Sequence, residues 1–158
     1  MKKTIMAVLA AMALLFVPIQ ATAGDYQYVG LDDELIRLAE IDTISKQTTT
    51  GYVRMWHAIG WAGYQDDNIY LMRVFSEYDC KARRSRLLSL SSYNLNGKLL
   101  FSDTKTGDWE YSIPDTYGEG TLQVACREVP QDPERIMYDG DLLTLIHAYR
   151  DLAAEGGL

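Results

Sequence analysis

The chain has few of the residues that usually carry catalysis or hold metals. In 158 residues there are two histidines, two cysteines and four prolines. His57 and His147 fall in different predicted elements and form no HxxxH or HExxH spacing, so no metal site is legible. The acidic groups Asp32-Asp33-Glu34 and Asp66-Asp67 lack the residue order of a calcium loop and read as solvated turns. No P-loop, GxGxxG, GxSxG or Cys/His nucleophile pattern occurs. The expectation is a non-catalytic protein with no cofactor and no metal. The competing reading is a hydrolytic site assembled across the fold around His57 or His147. Positive charge is also short: the net charge is −7. Nucleic-acid binders gain affinity by neutralising phosphates, so nucleic acid is not an expected partner. There is one long apolar run, Ile5 to Val17, and it is 13 residues. A bilayer core needs about 20.

That run has the layout of a Sec signal peptide. Lys2 and Lys3 precede it, Pro18 breaks it, and Ala21-Thr22-Ala23 offers small residues at −3 and −1 of a cleavage site. Residues 1–23 are the expected leader and Gly24 the first mature residue. No cysteine lies at the site to take a lipid. Losing Lys2 and Lys3 moves the net charge from −7 to −9. The remaining 135 residues fit one domain. Export makes one disulfide, Cys80–Cys126, the simplest use of the two cysteines. A reactive thiol or a metal pair would favour a CxxC-type spacing, which is absent.

The mature pattern is mostly β. Strands are expected at 26–31, 34–42, 51–61, 68–80, 85–97 and 98–103. The polar stretch 63–68 makes 51–80 an antiparallel hairpin. Asn96-Gly97 marks a tight turn, because both residues tolerate positive φ. Gly120 to Glu128 reads as a short helix with Leu122, Ala125 and Cys126 on one face, with a strand as the competing assignment. Residues 129–135 carry two prolines and no hydrophobic period. Asp141 then caps a helix running to about Glu155. Its apolar stripe is Leu142, Leu145, Ile146, Tyr149 and Ala153, and Gly156-Gly157 ends it. That stripe packs on its own domain or on a second copy of the chain. The expected fold is α+β: a small antiparallel sheet of about six strands, a short packed helix, a C-terminal helix and one disulfide. The divisions are a leader at 1–23, a domain at 24–128, and a Pro-containing linker plus helix at 129–158.

Within this frame the chain resembles the surface-adhesin protein E family of Gram-negative bacteria. The resemblance runs from about Tyr28 to Glu128. Its carriers are Ile41-Asp42-Thr43-Ile44-Ser45, Val53-Arg54-Met55-Trp56, Glu77-Tyr78-Asp79-Cys80 with the basic run behind it, and Ser92-Tyr93 leading to Asn96-Gly97-Lys98. Trp109, Ile113-Pro114, Gly118-Glu119 and Val124-Ala125-Cys126 complete the series. The resemblance implies a sheet with an attached helix closed by Cys80–Cys126, a homodimer as one assembly, and adhesion to host matrix or serum proteins. Family adhesins that are lipid-anchored need an N-terminal cysteine, and Gly24 stands there instead, which makes the periplasm the simplest address. The alternative function is that of a periplasmic accessory, inhibitor or immunity-type protein that binds another envelope protein.

Two groups of residues are candidates for contact. Lys81, Arg83, Arg84 and Arg86 crowd positive charge beside Cys80 in an acidic chain. They serve either as edge protection against strand pairing, with Asp79 or Glu77 neutralising them, or as a basic patch for an acidic polysaccharide or an acidic protein segment. A third use, activating a free Cys80, requires a reduced thiol. Trp61 and Tyr64 flank the polar tip of the 51–80 hairpin as candidate aromatic contacts, with packing over the sheet edge as the competing role.

Overall fold

In the computed structural model of the chain, residues 24–32, 34–63, 67–130 and 136–156 are described, the backbone alone for 136–139. The expected leader, Tyr64 and residues 131–135 lie outside them. The chain forms β1 (Gly24–Leu31), β2 (Leu35–Glu40), a 3-10 turn (Ile41–Thr43), β3 (Ser45–Lys46), β4 (Val53–Trp61), β5 (Leu71–Asp79), β6 (Arg84–Tyr93), β7 (Leu99–Asp103) and β8 (Glu110–Tyr111). Then follow α1 (Tyr117–Ala125), β9 (Ile136–Gly140) and α2 (Leu142–Ala154). One antiparallel sheet runs β7-β6-β5-β4-β2-β1-β9, with β3 paired to β4 and β8 to β6. The α+β expectation holds, and the six expected strands are β1, β2 and β4–β7.

Alternation decides what each face carries. On β4, Val53, Met55, His57 and Ile59 point one way; Arg54, Trp56, Ala58 and Gly60 point the other. The first face meets α1 in a core of Ala39, Val53, Met55, Tyr78, Leu122, Val124 and Ala125. The second meets α2 in a core of Tyr26, Ile36, Leu38, Ala58, Leu71, Leu142, Leu145, Ile146 and Tyr149. Gly60 has a packing reason: a Cβ there would lie 2.2 Å from Ile146 Cδ1.

Local chemistry sets the boundaries. Asp141 caps α2 by accepting from Thr144 N at 3.0 Å, and Gly156 follows the helix at φ +68, the left-handed end that glycine tolerates. The stripe Leu142, Leu145, Ile146 and Tyr149 is buried against the chain's own sheet. α1 starts three residues earlier than expected. Thr116 caps it by accepting from Glu119 N, the first half of a T-x-x-E capping box. At the β6–β7 turn only Gly97 of the Asn-Gly pair takes positive φ. Asn94 Oδ1 instead accepts from Asn96 N at 3.0 Å and Lys98 N at 2.9 Å. The disulfide joins the residue after β5 to the C-cap of α1, with Cα atoms 5.7 Å apart. β9 lies where only a tail had been expected, and it pairs with β1 through Gly24↔Gly140, Asp25↔Asp139 and Gln27↔Ile136.

Candidate functional site

α2 covers only one end of its sheet face. Beyond it β4, β5 and β6 present a strip of arginine and aromatic side chains. A β-bulge creates this arrangement. Phe75 opposes Ser89, but Ser76 opposes Leu87, so Leu88 is an extra residue in β6. The insertion shifts the face of everything before it. Arg86 therefore stands opposite Glu77 and Arg84 opposite Asp79. Without the bulge, Ser85 and Leu87 would take that face.

Glu77 is the centre of the strip. Its side chain is 1% exposed, yet it is fully engaged: Arg54 Nε donates to Oε1 at 2.8 Å, and Arg86 donates to Oε2 through Nε at 2.9 Å and Nη2 at 2.5 Å. Burial pushes its carboxyl pKa up, but the hydrogen bonds and charges of Arg86 and Arg54 outweigh that and hold it below the usual value. Arg84 donates to Asp79 Oδ2 at 3.1 and 3.0 Å. Arg73 donates to both oxygens of Glu40, at 3.0 and 2.7 Å. Glu40 is buried enough that its pKa is raised in spite of Arg73.

Aromatic rings interleave with these cations. Arg73 lies 5.1 Å from the Trp56 ring, and Trp56 stacks on Phe75 at 4.9 Å. Arg84 and Arg86 sit 4.8 and 4.6 Å from Trp109, whose ring meets Tyr52 edge-on at 5.0 Å. Exposed Tyr111 pairs with Arg84 from β8. The guanidinium groups keep their outer edges in solvent, with Arg54 36% and Arg86 30% exposed. At the α2 end the strip opens into a groove of about 470 Å³ lined by Tyr26, Glu40, Asp42, Trp56, Arg73 and Asp141, among others.

The four cations of the 81–86 run take different positions. Arg84 and Arg86 are members of the strip. Arg83, in the turn before β6 at φ +51, clamps α1 by pairing with Glu119 in its first turn and with Glu128 beyond its end at 2.8 Å. Lys81 is exposed in the turn and has no ion pair among the described residues. Cys80 is disulfide-bonded to Cys126, so it has no thiol for those cations to activate. Trp61 is half-buried at the end of β4, where its backbone N donates to Tyr70 O at 3.1 Å. Its expected companion Tyr64 lies outside the described residues. Tyr52 and Phe75 were not singled out from the sequence, and Trp109 entered only as a carrier of the family resemblance. Their signal is a strand face on which aromatics and arginines share parity, and the bulge hides that parity in β6.

His57 faces the opposite side of the sheet. Tyr78 OH and His57 Nδ1 are 3.3 Å apart. Burial, then the charge of Arg37, pushes the imidazole pKa down to about 4. His147 bonds the Leu95 carbonyl through Nε2 at 2.9 Å. The described residues contain no group of three metal-ligating side chains and no helix long and apolar enough to cross a membrane.

An antiparallel sheet with one disulfide-pinned helix and a partly exposed arginine–aromatic face defines a small disulfide-bonded α+β domain. The particular family follows from comparison. The family model described as Surface-adhesin protein E matches residues 26–127, and the chain belongs to that family. No curated protein and no solved structure matches the chain.

Proposed function

We propose that this chain is an exported, non-catalytic binding protein of the bacterial cell envelope, which grips a protein partner through the arginine–aromatic strip. One observation carries the reading. Four guanidinium groups, of Arg54, Arg73, Arg84 and Arg86, are held flat by three carboxylates among exposed and half-buried aromatics. Arginine and aromatic residues are the types that anchor protein interfaces. Holding them in place beforehand reduces the entropy lost on binding. Membership of an adhesin family supports the same reading, with host matrix or serum proteins as one partner class and another envelope protein as the alternative.

The near balance of charge on the strip favours a protein partner over an acidic polysaccharide. Of the 81–86 run, Arg84 and Arg86 are the contact residues, Lys81 contributes at the margin, and Arg83 holds α1. A second copy of the chain is favoured at a different place. The edge strand β7 exposes Leu99, Leu100 and Phe101, an unpaired apolar edge of the kind that recruits another strand.

Surface plasmon resonance against a panel of matrix, serum and periplasmic proteins tests the strip. Trp109→Ala and Arg84→Gln should each weaken a detected interaction about tenfold or more while the far-UV circular dichroism stays unchanged. Undiminished binding by both variants to every detected partner rejects the face. Localisation is tested separately by protease treatment of intact cells. Digestion supports display at the surface, and protection until the outer membrane is opened supports a periplasmic partner.

A further inference from the structure

Beneath α1, on the sheet face opposite the strip, lies a cavity of about 350 Å³ whose lining includes Arg37, His57, Ser76, Tyr78, Ser85 and Thr121. Arg37 is the exception among the strand arginines. Arg54, Arg73, Arg84 and Arg86 each hold a carboxylate. Arg37 holds none among the described residues. Its Nε is buried without an acceptor, and its guanidinium lies 5.1 Å from the Tyr117 ring. The charge of Asp32 acts on Arg37, but Asp32 makes no hydrogen bond or ion pair to that guanidinium. It accepts from the Tyr117 hydroxyl at 2.6 Å and from the amides of Glu34 and Leu35. Buried donors in native proteins are normally paired, so an orphan at a cavity wall asks for an acceptor from outside.

His57 supplies a second donor. It pairs with Ala39 while Arg37 pairs with Ile59, so the two are diagonal neighbours on one face. Ser76 bonds the Tyr78 hydroxyl, and that hydroxyl reaches His57 Nδ1. When Tyr78 donates to Nδ1, the neutral ring carries its proton on Nε2, which has no partner among the described residues. Arg37 Nε and His57 Nε2 thus belong to residues lining one cavity, and neither has a hydrogen-bond partner among the described residues.

We propose that this cavity binds a small monocarboxylate, with Arg37 as its charged partner and His57 Nε2–H as a second donor. A planar guanidinium matches a carboxylate in shape and charge. The other charged groups at the cavity limit the anion to one charge. Arg86 is committed to Glu77, and the exposed carboxylates of Asp108 and Glu110 lie in the lining and repel a dianion.

The test is an NMR titration of the folded mature protein with sodium acetate, matched in ionic strength with sodium chloride, reading the Arg37 Nε–H and His57 ring resonances. A saturable shift of both is expected, reduced at least fivefold in Arg37→Lys and lost in Arg37→Met. Arg37→Met could perturb the fold, so His57→Gln provides an independent variant that should also weaken binding. A short peptide with a free C-terminus is compared with its amide. Tighter binding of the free acid than of acetate makes a chain terminus the source; equal binding makes it a free small carboxylate. The proposal is overturned by no saturable shift up to about 100 mM acetate, by a shift that persists in Arg37→Met, or by inorganic phosphate shifting the same resonances as strongly as acetate.

Discussion

Glu77 shows how much one side chain can organise. It is a buried carboxylate serving two arginines on neighbouring strands. Glu77→Gln removes the charge that both were placed against. Breaking a buried pair costs several kcal/mol, and partly exposed arginine heads reduce that figure. The expected loss is about 1–3 kcal/mol, read by urea denaturation, with a larger loss of any strip-mediated binding. His57 gives a pH signature. Its folded pKa of about 4 lies below its ordinary 6.5. The unfolded chain therefore binds more protons between those values. The stability His57 contributes is fully present above about 6.5 and is lost as pH falls toward 4. Replacing His57 with Gln should flatten the drop in stability over that window relative to the unmodified chain, by on the order of 1–3 kcal/mol at its acid end. An equal loss of unfolding free energy between pH 7 and pH 4.5 in the two chains, read by urea denaturation, would contradict this assignment.

At the scale of elements, the bulge in β6 is the device that makes the strip. Leu88 is the residue with no partner in β5, so deleting it gives a regular ladder in which Arg86 still stands opposite Glu77 and Arg84 opposite Asp79. The expected outcome is cooperative urea unfolding and retained strip-mediated binding in the Leu88 deletion, and loss of either would mean that the bulge does more than set the face of the arginines. The disulfide between the end of β5 and α1 spans 46 positions. Its removal by Cys80→Ala with Cys126→Ala should cost up to about 4 kcal/mol on the chain-entropy estimate, measured by thermal melting. This scale also separates what was legible in the sequence from what was not. α2 was readable because a cap and a buried stripe coincide at helical spacing. The start of α1 was readable in principle from Thr116-x-x-Glu119, a signal weaker than the apolar spacing around Leu122. β9 was not readable, because a short strand at the end of a sheet is specified by its neighbour β1 more than by its own pattern. The bulge was invisible for a similar reason: a one-residue slip is set by pairing across strands, so the sequence placed the arginines on a strand without giving their face. The cavity around Arg37 was hidden because its residues come from separate elements.

The whole molecule divides one sheet face into two parts. α2 seals the half built from Ile36, Leu38, Ala58 and Leu71, and the strip occupies the rest. Gly60 marks the closest approach of α2. Gly60→Ala should lose about 1–3 kcal/mol through overpacking against Ile146, and adding Ile146→Val should recover part of it. Full additivity in that double-mutant cycle would mean that the two positions do not touch.

Gly24 lines the same groove as Glu40, Asp42 and Asp141, next to the strip. If the leader is cut after Ala23 as proposed, maturation leaves a free ammonium among those carboxylates. Proteolysis would then do more than release the chain from the export machinery, because it would add a positive charge to the groove. Precursor and mature protein would differ in groove chemistry while sharing one fold. A purification tag left ahead of Gly24 would occupy that groove. One placed after α2 would leave from the far end of the helix, where Arg150 Nε donates to the Ala62 carbonyl at 2.9 Å, and binding measured with the two arrangements should disagree.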